Sequence, residues 1–174
     1  MAYRKLSASY IFSSHSGFLK NGILILDRDN RVIDLIDTGG NLQEVANLVH
    51  YNGILTPGFV NMHCHLELSH LPGQIPRGTG LHGFIEQMIT RRNIKVDQIQ
   101  ESILEKMLVF QQHNPQIHLK DLLKWATLNG AKALGIESQI GSFEKGKQPG
   151  VNLIEQVDLQ RLILTERSRI KNIA

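Results

Sequence analysis

Two histidines, His63 and His65, flank the only cysteine of the chain, Cys64, inside the apolar stretch Phe59-Val60-Asn61-Met62-His63-Cys64-His65-Leu66. On an extended strand alternate side chains share a face. The two imidazoles would then project together, with their backbones about 6–7 Å apart, and Cys64 would project to the other side. Imidazoles so placed can share one divalent ion, because Zn–N bonds are about 2.0–2.1 Å long. Zinc is the expected metal, and two histidines also suit iron, nickel or cobalt. An isolated His-x-His is more often packed into a core than bound to a metal. The position here, directly after the Pro57-Gly58 turn signal, favours the ligand reading.

The other titratable residues are weaker candidates. Glu67 lies two beyond His65, on the same face of a continuing strand. The outer pair of a His63–His65–Glu67 trio would be about 13 Å apart along the backbone, awkward for one ion. Glu67 is therefore read as a substrate-positioning or locally bonded residue. His70 begins a loop and could swing back toward the metal, His82 sits near a helix start, and His113 and His118 flank Pro115 as surface residues. His15 and His50 lie in a β-rich region with no partner at ligand spacing. Asp121 falls in the first turn of an expected helix, where its charge suits the helix dipole. Trp125 lies near an apolar stripe and is expected in the core. Gly78-Thr79-Gly80 is too short for a phosphate cradle and lacks a following lysine.

The elements that must hold these residues divide the chain in two. Residues 3–55 read as β structure: Tyr10-Ile11-Phe12, then Gly22–Leu26 and Val32–Ile36 as a hairpin around Asp27-Arg28-Asp29-Asn30, then Gly53-Ile54-Leu55. Phe59–Leu66 reads as a further buried strand. Residues 71–80 form a loop. The second half is helical. Leu81, Phe84, Ile85, Met88 and Ile89 mark one helix face, and Ile99, Ile103, Met107 and Phe110 mark another. Asp97 with Gln100 has the spacing of a capping box. Asn114-Pro115 breaks that helix, and Leu119, Leu122, Leu123 and Ala126 open the next, running toward Gly135. Residues 139–157 read as turns entering a strand at Gly150–Ile154.

Composition narrows the function classes. The net charge of +3 comes from scattered Lys and Arg with no basic block, which argues against nucleic acid as a partner. A single cysteine allows no intramolecular disulfide and fits a reducing compartment. No run of about 18 apolar residues suggests a membrane span, and the N-terminus lacks the apolar core of a signal peptide. The expectation is a cytoplasmic protein.

Thr56-Pro57-Gly58-Phe59-Val60-Asn61-Met62-His63-Cys64-His65-Leu66-Glu67 resembles the PGFVNxHxHLE segment of the amidohydrolase superfamily. Within it, the chain looks most like the deaminase and chlorohydrolase branch, including aminodeoxyfutalosine deaminase-like enzymes. Trp125–Ile136 resembles the last barrel helix of that family. Gly141-Ser142-Phe143-Glu144-Lys145-Gly146-Lys147-Gln148-Pro149-Gly150 resembles its GSxExGKxAD return to a small β domain, with Pro149-Gly150 in place of Ala-Asp.

The resemblance covers roughly residues 1–93 and 108–174. It implies an α+β chain: a small β-sandwich built from both ends, residues 1–57 and 139–174, around a (β/α)8 barrel. A full barrel takes about 250 residues, so residues 58–138 can hold only a truncated remnant of one. The interval between Asn93 and Leu108 is the expected seam of an internal deletion. The implied activity is hydrolysis of a C–N bond, deaminating a purine- or nucleoside-like substrate with a metal-activated water. His63 and His65 would be metal ligands. The alternative is a catalytically inactive remnant, structural or self-associating as a homodimer, since unpaired strand edges and helices stripped of their packing surface invite exchange of segments.

Overall fold

The computed structural model describes residues 3–61, 78, 80, 82–83 and 96–174. Within these, seven strands form one sheet: β1 (Arg4–Ser13), β2 (Gly17–Lys20), β3 (Ile23–Leu26), β4 (Val32–Ile36), β5 (Leu48–Pro57), β6 (Val151–Glu155) and β7 (Arg169–Asn172). The order is β4-β3-β1-β5-β6-β7, with β2 also paired to β1. The β1–β5 pair is parallel and the others antiparallel. Strands β2 and β3 share one edge of β1: β2 covers Tyr10–Ser13 and β3 covers Arg4–Ser7. Between them Asn21 takes φ 52° and donates its N–H to the Ser9 carbonyl, 3.2 Å away.

The β3–β4 hairpin forms where the turn chemistry predicts it. Asp27 Oδ1 accepts the N–H groups of Asp29 and Arg31, both at 2.9 Å, and Asn30 supplies a left-handed residue at φ 59°.

Both faces of the sheet are buried, and the alternation is plain in adjacent residues. Leu55 and Leu153 face one cluster with Leu6, Leu24, Leu26, Val32 and Phe143; Ile54 and Ile154 face the other. Helix α1 (Val96–His113) and helix α2 (Leu119–Lys124) cover the second face through Ile103, Leu104, Met107, Leu119, Leu122 and Leu123. The first face is enclosed as the chain returns from the helices. Val32 exchanges backbone bonds with that return, donating to the Lys147 carbonyl and accepting from Gly146, each at 2.8 Å. The α+β class stands. In place of two packed sheets there is one continuous sheet, because the C-terminal strands extend the first sheet along β5.

Helix α2 continues through a π-helical segment, Trp125–Asn129, into helix α3 (Gly130–Ala133). Gly135, at φ 69°, ends it with a Schellman pattern: Ile136 N–H reaches the Ala131 carbonyl and Gly135 N–H the Lys132 carbonyl. Helix α1 ends before Asn114-Pro115, as expected, and runs unbroken through most of the interval 93–108.

Two local expectations are corrected. Strand β5 ends at Pro57, and Phe59–Asn61 are not strand. After Pro57-Gly58 the Val60 N–H goes to the Ala126 carbonyl at 2.7 Å, not to a neighbouring strand. Nor does Gln100 serve a capping box. The helix already includes Asp97, and the Gln100 amide is engaged by Phe59. The expected strand beyond Asn61, the loop 71–77 and the helix face from Phe84 to Ile89 lie outside the described residues.

Candidate functional site

The chain leaves β5 toward the His63-Cys64-His65 motif through three anchored residues. Gly58 donates its N–H to the Pro149 carbonyl at 3.0 Å. Phe59, 7% exposed, inserts its ring into the helix–sheet core. Its peptide groups meet one side chain: Phe59 N–H donates to Gln100 Oε1 at 2.9 Å, and Gln100 Nε2 donates to the Phe59 carbonyl at 3.2 Å. Asn152 of β6 donates from Nδ2 to the same Gln100 Oε1 at 2.6 Å. Gln100 is 8% exposed and Asn152 fully buried, so these bonds form away from water. Their linear sequence carried no signal of this, since Gln100 lies 41 positions from Phe59 and 52 from Asn152.

His63, Cys64, His65, Glu67 and His70 lie outside the described residues. The remaining candidates do not converge. His50 Nδ1 lies 3.2 Å from Ser7 Oγ, across the parallel β1–β5 register. His113 and His118 are exposed, as expected, and so is His82. Asp121 is half-buried in the first turn of α2. Trp125 is the correction: it is 47% exposed and packs edge-on against Phe110, with ring centroids 5.8 Å apart. Among the described residues no three His, Cys, Asp or Glu side chains gather as a metal site. Whether a metal fits therefore turns on His63 and His65 with partners beyond the described set.

A second polar cluster lies on the return strap. Lys147, nearly buried, pairs with Glu144 and donates to Ser142 Oγ at 2.8 Å. Ser142 Oγ in turn donates to Glu144 Oε2 at 3.2 Å, and His15 Nε2 stands 3.3 Å from Glu144 Oε1. His15, unpartnered in the sequence reading, thus ties the β1–β2 turn to the strap. The hydrogen bond from Lys147 holds the Glu144 carboxyl below its usual range, against the opposing effect of burial. A depressed carboxylate pKa adds stability above the unfolded-state value, near 4.3, and loses it as pH falls through the folded value. Since Glu144 remains 44% exposed, solvent screening holds the pair to less than about 1 kcal/mol. The expected result is that Glu144→Gln melts slightly below the parent at pH 6–7, and that the gap closes below about pH 4. Thermal melts of both across that range check it.

The model of the amidohydrolase family matches residues 82–172, just over half of the chain. The chain belongs to the amidohydrolase family. The matched stretch holds the helices, the strap, β6 and β7, and begins after His63-Cys64-His65. Among curated family relatives, a 5-methylthioadenosine/S-adenosylhomocysteine deaminase of Teredinibacter turnerae is 59% identical over 34 residues, 20% of this chain and 8% of that one. Human guanine deaminase is 31% identical over 107 residues, 60% of this chain and 21% of that one. The chain thus spans at most about a fifth of the length of these relatives. Among solved structures, an adenosine deaminase from Xanthomonas campestris with bound zinc aligns over 75% of this chain and 31% of that one, at 14% identity and a TM-score of 0.34. No helix among the described residues is long and apolar enough to cross a membrane.

Proposed function

We propose that this amidohydrolase-family chain carries the metal-binding start of a hydrolytic deaminase, with His63 and His65 as ligands to a divalent ion, zinc first. The observation that carries the reading is the deaminase identity of its curated relatives, one acting on guanine, together with a His-x-His placed four and six residues after Phe59, beyond the end of β5. A bound zinc would lower the pKa of a coordinated water to about 7, supplying hydroxide at neutral pH. In such a reaction the water oxygen bonds the ring carbon, the C–N bond breaks, and ammonia leaves. The substrate class is a purine-like ring bearing an exocyclic amine, and Glu67 is the residue assigned to positioning it.

The same reading treats residues 1–57 and 139–174 as one discontinuous unit interrupted by residues 58–138, a remnant barrel with its seam between 93 and 108. The pairing of β5 with β6 supports it, because that pairing joins the N-terminal strands to the C-terminal ones.

Chelator-stripped protein should take up zinc on titration calorimetry. His63→Ala and His65→Ala should each weaken that uptake by more than about 100-fold, exceeding the loss usual for an outer-shell partner. Ammonia release from guanine and from adenine nucleosides tests turnover. Protein that takes up no zinc and releases no ammonia would favour the inactive alternative, whose self-association sedimentation would then test.

A further inference from the structure

Phe59 follows the Pro57-Gly58 break, where the chain has left β5 and, among the described residues, no strand neighbour receives its peptide groups. Buried N–H and C=O groups need partners. Here one carboxamide supplies both: Gln100 Oε1 accepts from Phe59 N–H and Gln100 Nε2 donates to the Phe59 carbonyl, at 2.9 and 3.2 Å. In an antiparallel ladder a hydrogen-bonded residue pair exchanges the same two bonds. The Gln100 side chain thus stands in for a neighbouring strand. Asn152 Nδ2, donating to the same oxygen at 2.6 Å, fixes which end of the Gln100 amide faces Phe59 N–H. A flipped amide would set two donors against each other. One residue on, Val60 N–H is held by the Ala126 carbonyl. Two consecutive peptides are therefore pinned, three residues before His63, with at most about 11 Å of chain between.

We infer that Gln100, oriented by Asn152, is a positioning residue that sets where the chain leaves the sheet toward His63 and His65. Its bearing on metal binding rests on the reading of those histidines as ligands; its hold on Phe59 does not.

Three variants separate the roles. Gln100→Met keeps the length and removes the amide. Gln100→Glu keeps the acceptor for Phe59 N–H, and it serves should the methionine variant fail to fold. Leu104→Ala loosens the same helix in the core it shares with Phe59 while keeping the Gln100 amide. Amide hydrogen exchange at Phe59, referenced to fully buried Leu24 of β3, and zinc affinity by chelator competition are read on each. In Gln100→Met, Phe59 should exchange about 10-fold or more faster relative to Leu24, and zinc affinity should fall about 10–100-fold, the range for groups that orient ligands. Gln100→Glu should keep Phe59 protected, and Leu104→Ala should lower the melting temperature with zinc affinity within about 2-fold of the parent. The inference is overturned if Phe59 stays protected in Gln100→Met. It is equally overturned if Leu104→Ala loses zinc in step with Gln100→Met, which would make the effect general loosening. A parent that binds no zinc, with the Phe59 exchange pattern as expected, would sink the metal reading and leave the anchoring of Phe59 standing.

Discussion

Gly53→Ala is expected to destabilise the protein by about 3 kcal/mol and lower its melting temperature by roughly 6–12 °C, taking about 2–4 °C per kcal/mol for a chain of this size. Two residues of β1, Ala8 and Tyr10, span the register that Tyr51 and Ile54 span on β5, so β5 carries one extra residue at Asn52-Gly53. That bulge is fastened from the side by Ser9, whose Oγ donates to Asn52 Oδ1 at 3.3 Å and accepts from Gly53 N–H at 3.4 Å. Gly53 sits at φ 155°, a backbone conformation that residues with a Cβ rarely adopt. An added methyl would also drive into the Ile154 carbonyl oxygen and stand 3.1 Å from Leu153 Cδ1. A residue held in a sparsely populated backbone region costs about 1–3 kcal/mol and forced repacking about 1–3, and here the obstacle is backbone that cannot rotate away. The damage falls on the Ile54–Ile154 pairing, where the N-terminal strands join β6. Urea unfolding would measure it. A change within about 0.5 kcal/mol, the range of a neutral surface substitution, would mean that β6 does not approach Gly53 this closely.

What could be read from the sequence is what local chemistry decides. Asp27 and Asn30 build their turn from bonds to residues two to four positions away, so the β3–β4 hairpin was visible in the residues themselves. The helix stop at Gly135 follows the same logic, since a left-handed residue and two nearby carbonyls suffice. The parallel β1–β5 pairing depends on residues more than 40 positions apart, and nothing in either stretch names the other. Strand β7 escaped notice because Ile170 is its one buried residue, too little for a period-two pattern. The start of the expected strand, at Phe59 and Val60, looked extended because these residues are apolar. Phe59 is in fact buried in the core between helices and sheet, and its hydrogen bonds come from Gln100, a polar residue that the sequence pattern assigned to capping. Trp125 was placed inside on helical spacing, yet it lies at the surface, where the π-helical segment begins, with its ring edge-on to Phe110.

The site segment itself was recognised by its motif, and the structure adds what holds its upstream end. Phe59→Ala is the sharpest test of that hold and is expected to cost about 3–5 kcal/mol, the usual range for a buried phenylalanine. Phe59 belongs to the cluster that binds α1 and α2 to the sheet through Ile54, Leu104, Leu123 and Ile154. Truncation opens a cavity that rigid neighbours fill poorly: Ile54 and Ile154 are fixed in paired strands, and Leu123 is fully buried. The polar bonds compound the loss. Phe59 N–H and C=O keep their partners on Gln100 only while the ring holds the peptide in place, and a buried donor such as Gln100 Nε2 left unpaired costs about 1–3 kcal/mol. The two contributions share one helix, so they will not add independently. A double-mutant cycle of Phe59→Ala with Gln100→Met should therefore show a coupling of about 0.5–3 kcal/mol. Phe110→Ala provides the contrast, since that ring is 40% exposed and packs on Trp125 at the surface. It should cost about 1.5 kcal/mol or less, the worth of an aromatic pair. Equal losses from Phe59→Ala and Phe110→Ala in urea unfolding would mean that the exit from β5 is not anchored in the core, and that the approach to His63 and His65 is set by other residues.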